Sequence, residues 1–238
     1  MRVSVNELET LAKKAAVGAG IHYGYASEAA QSLVWLSATG IDAIPGYVHT
    51  LRAWSSGKTN PVAVWCTAHA STIKASKGTR ASVLYAAPAA RDFLQVITRT
   101  ARPGGITIDN VDHPSFVLAE LAREPTMAPT LIRCTEPTQS DVRWIARLPG
   151  EQDPDLIHID GDLRNPNPAD VLVTPASPSD ANQPQTTITT DTRSLFCRGV
   201  DIDPTHYEVL RTFLNLTLVP DSEESRRHGD GAGLVDSD

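Results

Sequence analysis

The first 61 residues constrain this chain more than any other stretch, because three helical patterns follow one another there with clear stops between them. Ser4-Val5-Asn6-Glu7 is a capping box, in which the serine hydroxyl and the glutamate carboxylate satisfy amide donors that a helix start leaves free. Leu8, Leu11, Ala12, Ala15 and Ala16 then recur at helical spacing, and Gly18 and Gly20 stop the helix. A second helix is expected from about Ala26 to Thr39, with Ala26, Ala29, Ala30, Leu33 and Leu36 on one side and Gly40 as its stop. A third opens at Pro45, whose missing amide hydrogen is not needed in a first turn, and ends near Gly57. The many alanines let helix axes approach closely, which predicts a tightly interlocked layer.

The pattern changes period after Pro61. Val62, Val64 and Cys66 alternate with smaller residues as a strand would, leading into a polar stretch from Thr67 to Arg80. Ser82 to Ala86 reads as a short strand, and Pro88 as the start of a helix to about Ala101 with Phe93, Val96 and Ile97 inward. Pro103-Gly104-Gly105 feeds a strand from Ile106 to Asp109, Asp112-His113-Pro114 makes a turn, and Ser115 caps a helix from Phe116 to Arg123. Leu131 to Cys134 is a further strand, and Val142 to Leu148 a short helix or strand. Leu156 to Ile159 and Val171 to Val173 are strand candidates in a proline-, aspartate- and threonine-rich region that otherwise reads as sheet edge and loop. Asp203-Pro204 caps a last amphipathic helix carrying Tyr207, Leu210, Phe213 and Leu214, and a charged tail follows.

Lysine plus arginine number 21 against 28 aspartates and glutamates, a net charge of −7 that argues against nucleic acid or an anionic membrane as partner. No apolar run reaches the length of a membrane span. Glu7 and Glu9 near the start fit neither a signal nor a transit peptide. Cys66, Cys134 and Cys197 are few and scattered, as reduced thiols in a cytoplasm would be.

Several constellations compete as sites. Gly18, Gly20 and Gly24 nearly match a dinucleotide-binding pattern, but they follow a helix where the phosphate turn must follow a strand. Ser71-Thr72-Ile73-Lys74 has the spacing of a serine–lysine nucleophile without its companion motifs. Asp153, Asp155, His158, Asp160 and Asp162 are dense in metal-capable groups but lack a compact ligand spacing, so they read as an acidic edge and no metal is assigned. Asp221, Glu223 and Glu224 read as a solvated face, and Arg226, Arg227 and His228 as cations too loosely held to build an anion site. His113 stands where a strand gives way to a helix, with Asp109, Asn110 and Asp112 close by as orienting partners. It is either a positioned acid–base group or a cap on the following helix.

Leu8…Leu11…Ala19-Gly20-Ile21…Ala26…Gly40-Ile41-Asp42…Tyr47…Leu51…Gly57…Asn60-Pro61 resembles the opening of the malate/L-lactate dehydrogenase family. Gly105-Ile106…Asn110-Val111-Asp112-His113 resembles that family's strand ending in a Ser-Asn-His-Phe-Gly-like turn, and Gly199-Val200-Asp201-Ile202-Asp203-Pro204 its closing helix. The resemblance implies an NAD- or NADP-dependent reductase of small 2-oxo acids or cyclic imines, built on a fold that is not Rossmann. The family's Ser-His-Gly segment is missing, since Asp42 is followed by Ala43-Ile44-Pro45-Gly46. Lys13-Lys14-Ala15-Ala16…Gly18-Ala19-Gly20 and Pro220…Ser222-Glu223…Ser225-Arg226…Gly231-Ala232-Gly233 are similar to domain of unknown function 3726.

The expectation is an α/β protein with a helical N-terminal layer over residues 1–61, a mixed β-sheet body over 62–220 and a flexible charged tail over 221–238. It would bind a small carboxylate or imine, with His113 as first candidate proton donor and His49 as second. The alternative is a non-catalytic partner subunit or ligand-sensing relative. The family builds its site across a dimer, which implies a homodimer here, with Trp35 and Trp54 as interface candidates.

Overall fold

The computed structural model describes residues 1–67, 71–78, 80–100, 104–123, 130–135, 142–147, 156–160, 168–175, 186–189 and 192–218. Helices α1 (Val5–Gly18), α2 (Tyr23–Ala38) and α3 (Ile44–Ser55) form the expected layer. Ser4 caps α1 by accepting the Glu7 amide at 3.1 Å, and Leu8, Leu11, Ala12, Ala15 and Ala16 are all buried. Helix α2 starts three residues before Ala26, with His22 at its cap position. The last helix, α7 (Pro204–Asn215), packs along α1, and Asp203 caps it by accepting the Thr205 amide at 2.7 Å.

Gly18 shows why α1 ends as it does. A methyl group placed there would sit 1.8 Å from the backbone oxygen of Phe213 on α7, so the two helices touch backbone to backbone. Gly18→Ala is expected to push α7 away, and overpacking of this kind costs about 1–3 kcal/mol. Thermal unfolding of the variant checks it; an unchanged midpoint would mean that α7 does not press on α1.

The body is an eight-stranded sheet of β2 (Val62–Cys66), β3 (Ser71–Ala75), β4 (Ile106–Val111), β5 (Thr130–Thr135), β6 (Val142–Arg147), β7 (Leu156–Asp160), β8 (Ala169–Pro175) and β9 (Thr186–Thr189). Their order is β2-β3-β4-β8-β5-β6-β7-β9, and among these described strands only the β3–β4 pair is parallel. That largely antiparallel arrangement excludes a Rossmann fold, whose sheet is mostly parallel. Helices α4 (Val83–Thr100) and α5 (Ser115–Ala122) cover one face. Alternation does the sorting: in β8, Ala169, Val171 and Val173 are buried while Asp170 and Leu172 face out. A two-stranded ribbon of β1 (Arg2–Val3) and β10 (Val200–Asp201) lies apart from the sheet, preceded by the short helix α6 (Thr192–Arg198).

Some local expectations fail for identifiable reasons. Residues 82–86 are not a strand but the opening of α4, because the Asp112 carboxylate accepts the Val83 amide and starts the helix early. Pro88 therefore lies inside α4, where it removes the bond that the Leu84 carbonyl would accept. Of the residues expected inward on α4, Ile97 is buried and Phe93 half-buried, but Val96 is 49% exposed. The polar stretch after Thr67 contains β3, whose Ser71 and Ile73 are buried between outward polar residues. Ser115 does not cap α5; it is already helical, and the His113 carbonyl accepts the Phe116 amide. Strand β9 and helix α6 were not legible in their threonine-rich surroundings.

Ser71 and Lys74 lie three apart on β3 and so on opposite faces, and Lys74 pairs with Asp109 at 3.0 Å; they form no nucleophile. Gly18 and Gly24 lie within α1 and α2, so the glycine triad is helix and turn, not a phosphate cradle. Of the acidic stretch, 156–160 form β7, while Asp153, Asp155 and Asp162 lie outside the described residues, as does the tail from 219.

Candidate functional site

The turn between β4 and α5 is backbone under constraint. Asn110 and His113 both have positive φ, 48° and 46°, a region few residues other than glycine occupy and one that costs about 1–3 kcal/mol. Its surroundings hold it there. The Asp170 carboxylate accepts the Asn110 amide at 2.7 Å, the Asn110 carbonyl accepts the Ala81 amide at 3.1 Å, and the Ala81 carbonyl accepts the Asp112 amide at 3.3 Å.

The twist sends His113 inward, where it is only 4% exposed, and lays its ring on the first turn of α3. A methyl group at Gly46 would lie 3.1 Å from His113 Nδ1, so glycine there leaves just enough room for the imidazole. One turn further along α3, His49 meets it: His49 Nδ1 and His113 Nε2 are 2.7 Å apart, with the rings edge to face. His49 is exposed, so the pair connects a buried ring nitrogen to solvent. One ring donates and the other accepts, so the shared bond holds one proton and a further proton on the pair would sit on an outer ring nitrogen, His49 Nε2 or His113 Nδ1. Burial, with His49 and Arg80 facing the ring, pushes the His113 imidazole down to about 4, so it is neutral at pH 7.

The structure thus brings together both histidines singled out in the sequence, but not with the partners expected. Asp109 is engaged by Lys74, and Asp112 is turned to α4, where Oδ1 accepts the Val83 amide at 2.6 Å. The ring orienting His113 is His49, 64 residues away. Nor is His113 a side-chain cap; only its carbonyl serves α5.

Asp112, expected only as an orienting partner of His113, is a buried titratable group in its own right. It is 1% exposed, and burial pushes its carboxyl up to about 6, with the Val83 amide, Thr50 and Arg80 offsetting part of the rise. The Thr50 hydroxyl lies beside it but short of hydrogen-bond geometry. Asp112 Oδ2, Thr50 Oγ1 and Ser82 Oγ are buried without a hydrogen-bond partner among the described residues.

A second polar cluster is structural. Glu120 on α5 is buried and accepts Ser32 Oγ at 2.8 Å, Arg123 at 2.8 Å and Arg91; Arg91 also holds Glu28 at 2.8 Å. It ties α5 to α2 and α4, and so steadies the helix whose start carries His113. A surface cleft of about 310 Å³ runs between Arg2, Asp42, Ile44, Arg198 and Asp201, where Arg2 and Asp201 already neutralise one another at 2.7 Å. No group of three or more metal-capable side chains gathers among the described residues.

Residues 3–68 match the family described as "Protein of unknown function (DUF3726)". A dehydrogenase from Sinorhizobium meliloti has a similar structure, with a TM-score of 0.63 and 12% identity, over 90% of this chain and 99% of that one. Sulfolactate dehydrogenase from Methanocaldococcus jannaschii is similar with a TM-score of 0.58 and 12% identity, over 90% of this chain and 97% of that one. No curated protein matches in sequence. At such identities the likeness establishes the fold: a mixed α/β fold of the malate/lactate dehydrogenase type, as the three sequence patches implied. Among the described residues no helix is long and apolar enough to cross a membrane.

Proposed function

We propose that this protein is a divergent cytoplasmic relative of NAD(P)H-dependent reductases of 2-oxo acids or cyclic imines, in which His49 and His113 stand in for the missing Ser-His segment. The observation that carries this reading is the 2.7 Å bond between a solvent-exposed imidazole and a buried one at the end of β4. Reduction of a carbonyl or imine needs a hydride and a proton. A nicotinamide cofactor supplies the hydride; the chain's own contribution is the proton, given up at an outer nitrogen of the pair as the shared proton shifts between the rings, and replenished from solvent through His49. A neutral, sterically fixed His113 suits that task because it does not trap the proton it passes on. The turn from β3 to α4 carries a single glycine, Gly78 at a φ of 68°, without the glycine-rich pattern of a phosphate turn, so no residue is assigned to the cofactor and no step is placed on it.

One observation favours the non-catalytic alternative, a partner subunit or ligand sensor. Ala43 and Ile44, where the family has its Ser-His segment, are buried apolar side chains. A homodimer remains part of the proposal, but Trp35 and Trp54 pack partly buried on the chain's own core, and Trp54 stacks on Tyr85 at 4.8 Å. The discriminating measurement is a fluorescence titration of NADH and NADPH with purified protein. Saturable quenching or enhancement is expected; no change at high cofactor concentration would leave the non-catalytic reading in its place.

A further inference from the structure

We infer that Arg80 is the receptor for a substrate carboxylate at the His49–His113 site. This assignment rests on the reductase reading for the identity of the ligand, though not for its charge.

The backbone around Arg80 is sewn to the turn that carries His113. Its carbonyl accepts the Asn60 amide at 3.1 Å, and the next residue, Ala81, bridges both Asn60 and Val111. Ala81 also bonds on either side to Asn110 and Asp112. Arg80 is thereby fixed one residue from the segment that places both Asp112 and His113, and its charge reaches each of them.

Arg80 is half-buried, and its guanidinium makes no hydrogen bond or ion pair among the described residues. Arg2, Arg91, Arg123 and Arg211 all hold carboxylates. A partly desolvated cation without a counter-ion is unfavourable, and an anion arriving beside it relieves that cost. Asp112 does not fill the role, because one of its oxygens is committed to Val83 and the other has no partner.

The Asp112 carboxyl is a poor counter-ion for Arg80, because burial opposes its ionisation. A guanidinium presents a planar fork that matches a carboxylate edge to edge. In a 2-oxo or 2-imino acid the carboxylate is one bond from the carbon to be reduced, so clamping it fixes the reacting group near the proton source. A phosphate could use the same fork, and the test separates the two.

The experiment measures binding of oxamate and pyrrole-2-carboxylate, planar analogues of a 2-oxo acid and a cyclic imino acid, by calorimetry, with inorganic phosphate, NADH and NADPH alongside. Wild type should bind at least one of the carboxylates. Arg80→Gln should weaken that binding about 10–100-fold, as loss of a charged hydrogen-bonded contact does, with the melting midpoint unchanged and Arg80→Lys recovering only part. Equal binding by Arg80→Gln and wild type would overturn the assignment, as would wild type that binds neither carboxylate. A loss confined to phosphate or NADPH would overturn it too, moving Arg80 to a phosphate. If NADH binds but Arg80→Gln has no effect, only this inference fails. If the carboxylates bind through Arg80 and no nicotinamide nucleotide does, only the reductase reading fails.

Discussion

Changing His113 to asparagine lowers the turnover of whichever 2-oxo acid or cyclic imine the protein reduces by about 10²–10⁴-fold, the usual worth of a positioned acid–base group. Asparagine is the right substitute because His113 sits at a φ of 46°, which asparagine tolerates and alanine does not. It removes the ring nitrogen without adding backbone strain, so the thermal midpoint should move far less than the rate. His49→Gln should reduce turnover too, since His49 is the outer member of the 2.7 Å pair and its route to solvent. A combined loss no larger than the greater single loss is expected, because the two rings act as one unit. Steady-state kinetics and melting curves on the two single variants and the double variant check this. A His113→Asn protein that turns over at the wild-type rate would remove the pair from catalysis, whatever the change did to stability.

The parts of this protein that were legible in its sequence are those whose causes are local. Helices α1 to α3 announce themselves through a cap at Ser4, alanine and leucine at helical spacing, and glycines or proline at their ends. His113 was legible as a residue because a turn after a strand is a local signal. Its partner was not. Proximity in sequence suggested Asp109 or Asp112, but two left-handed residues within four positions rotate the turn so that the imidazole points to α3 and the carboxylate to α4. The same twist made α4 start at Val83, since the group that starts it comes from a different element 29 residues away. Arg80 carried no sequence signal at all; only the absence of any bonded partner among the described residues, visible in three dimensions, sets it apart.

That turn also predicts an unusual response of stability to pH. Asp112 binds its proton more tightly in the folded chain, about 6 against an ordinary 3.8, because burial opposes its charge. Its contribution is therefore fully present below pH 3.8 and lost as pH rises through about 6. His113 binds its proton less tightly when folded, about 4 against 6.5, for the same reason and because His49 and Arg80 face it. Its contribution is present above pH 6.5 and lost as pH falls through about 4. Each displacement is worth on the order of 3 kcal/mol, in opposite directions and over nearly the same interval. Adjacent residues thus offset one another, and between about pH 4 and 6 the pair leaves the wild-type stability close to flat. Removing one member exposes the other. Asp112→Asn should steepen the rise of stability with pH across this interval relative to wild type, and His113→Asn should make it fall. Denaturant titrations at several pH values, read as differences from wild type, cancel the contributions of the other carboxylates. Variant curves that stay parallel to the wild-type curve would show that neither group changes its proton affinity on folding, and the burial argument for both residues would fail with them.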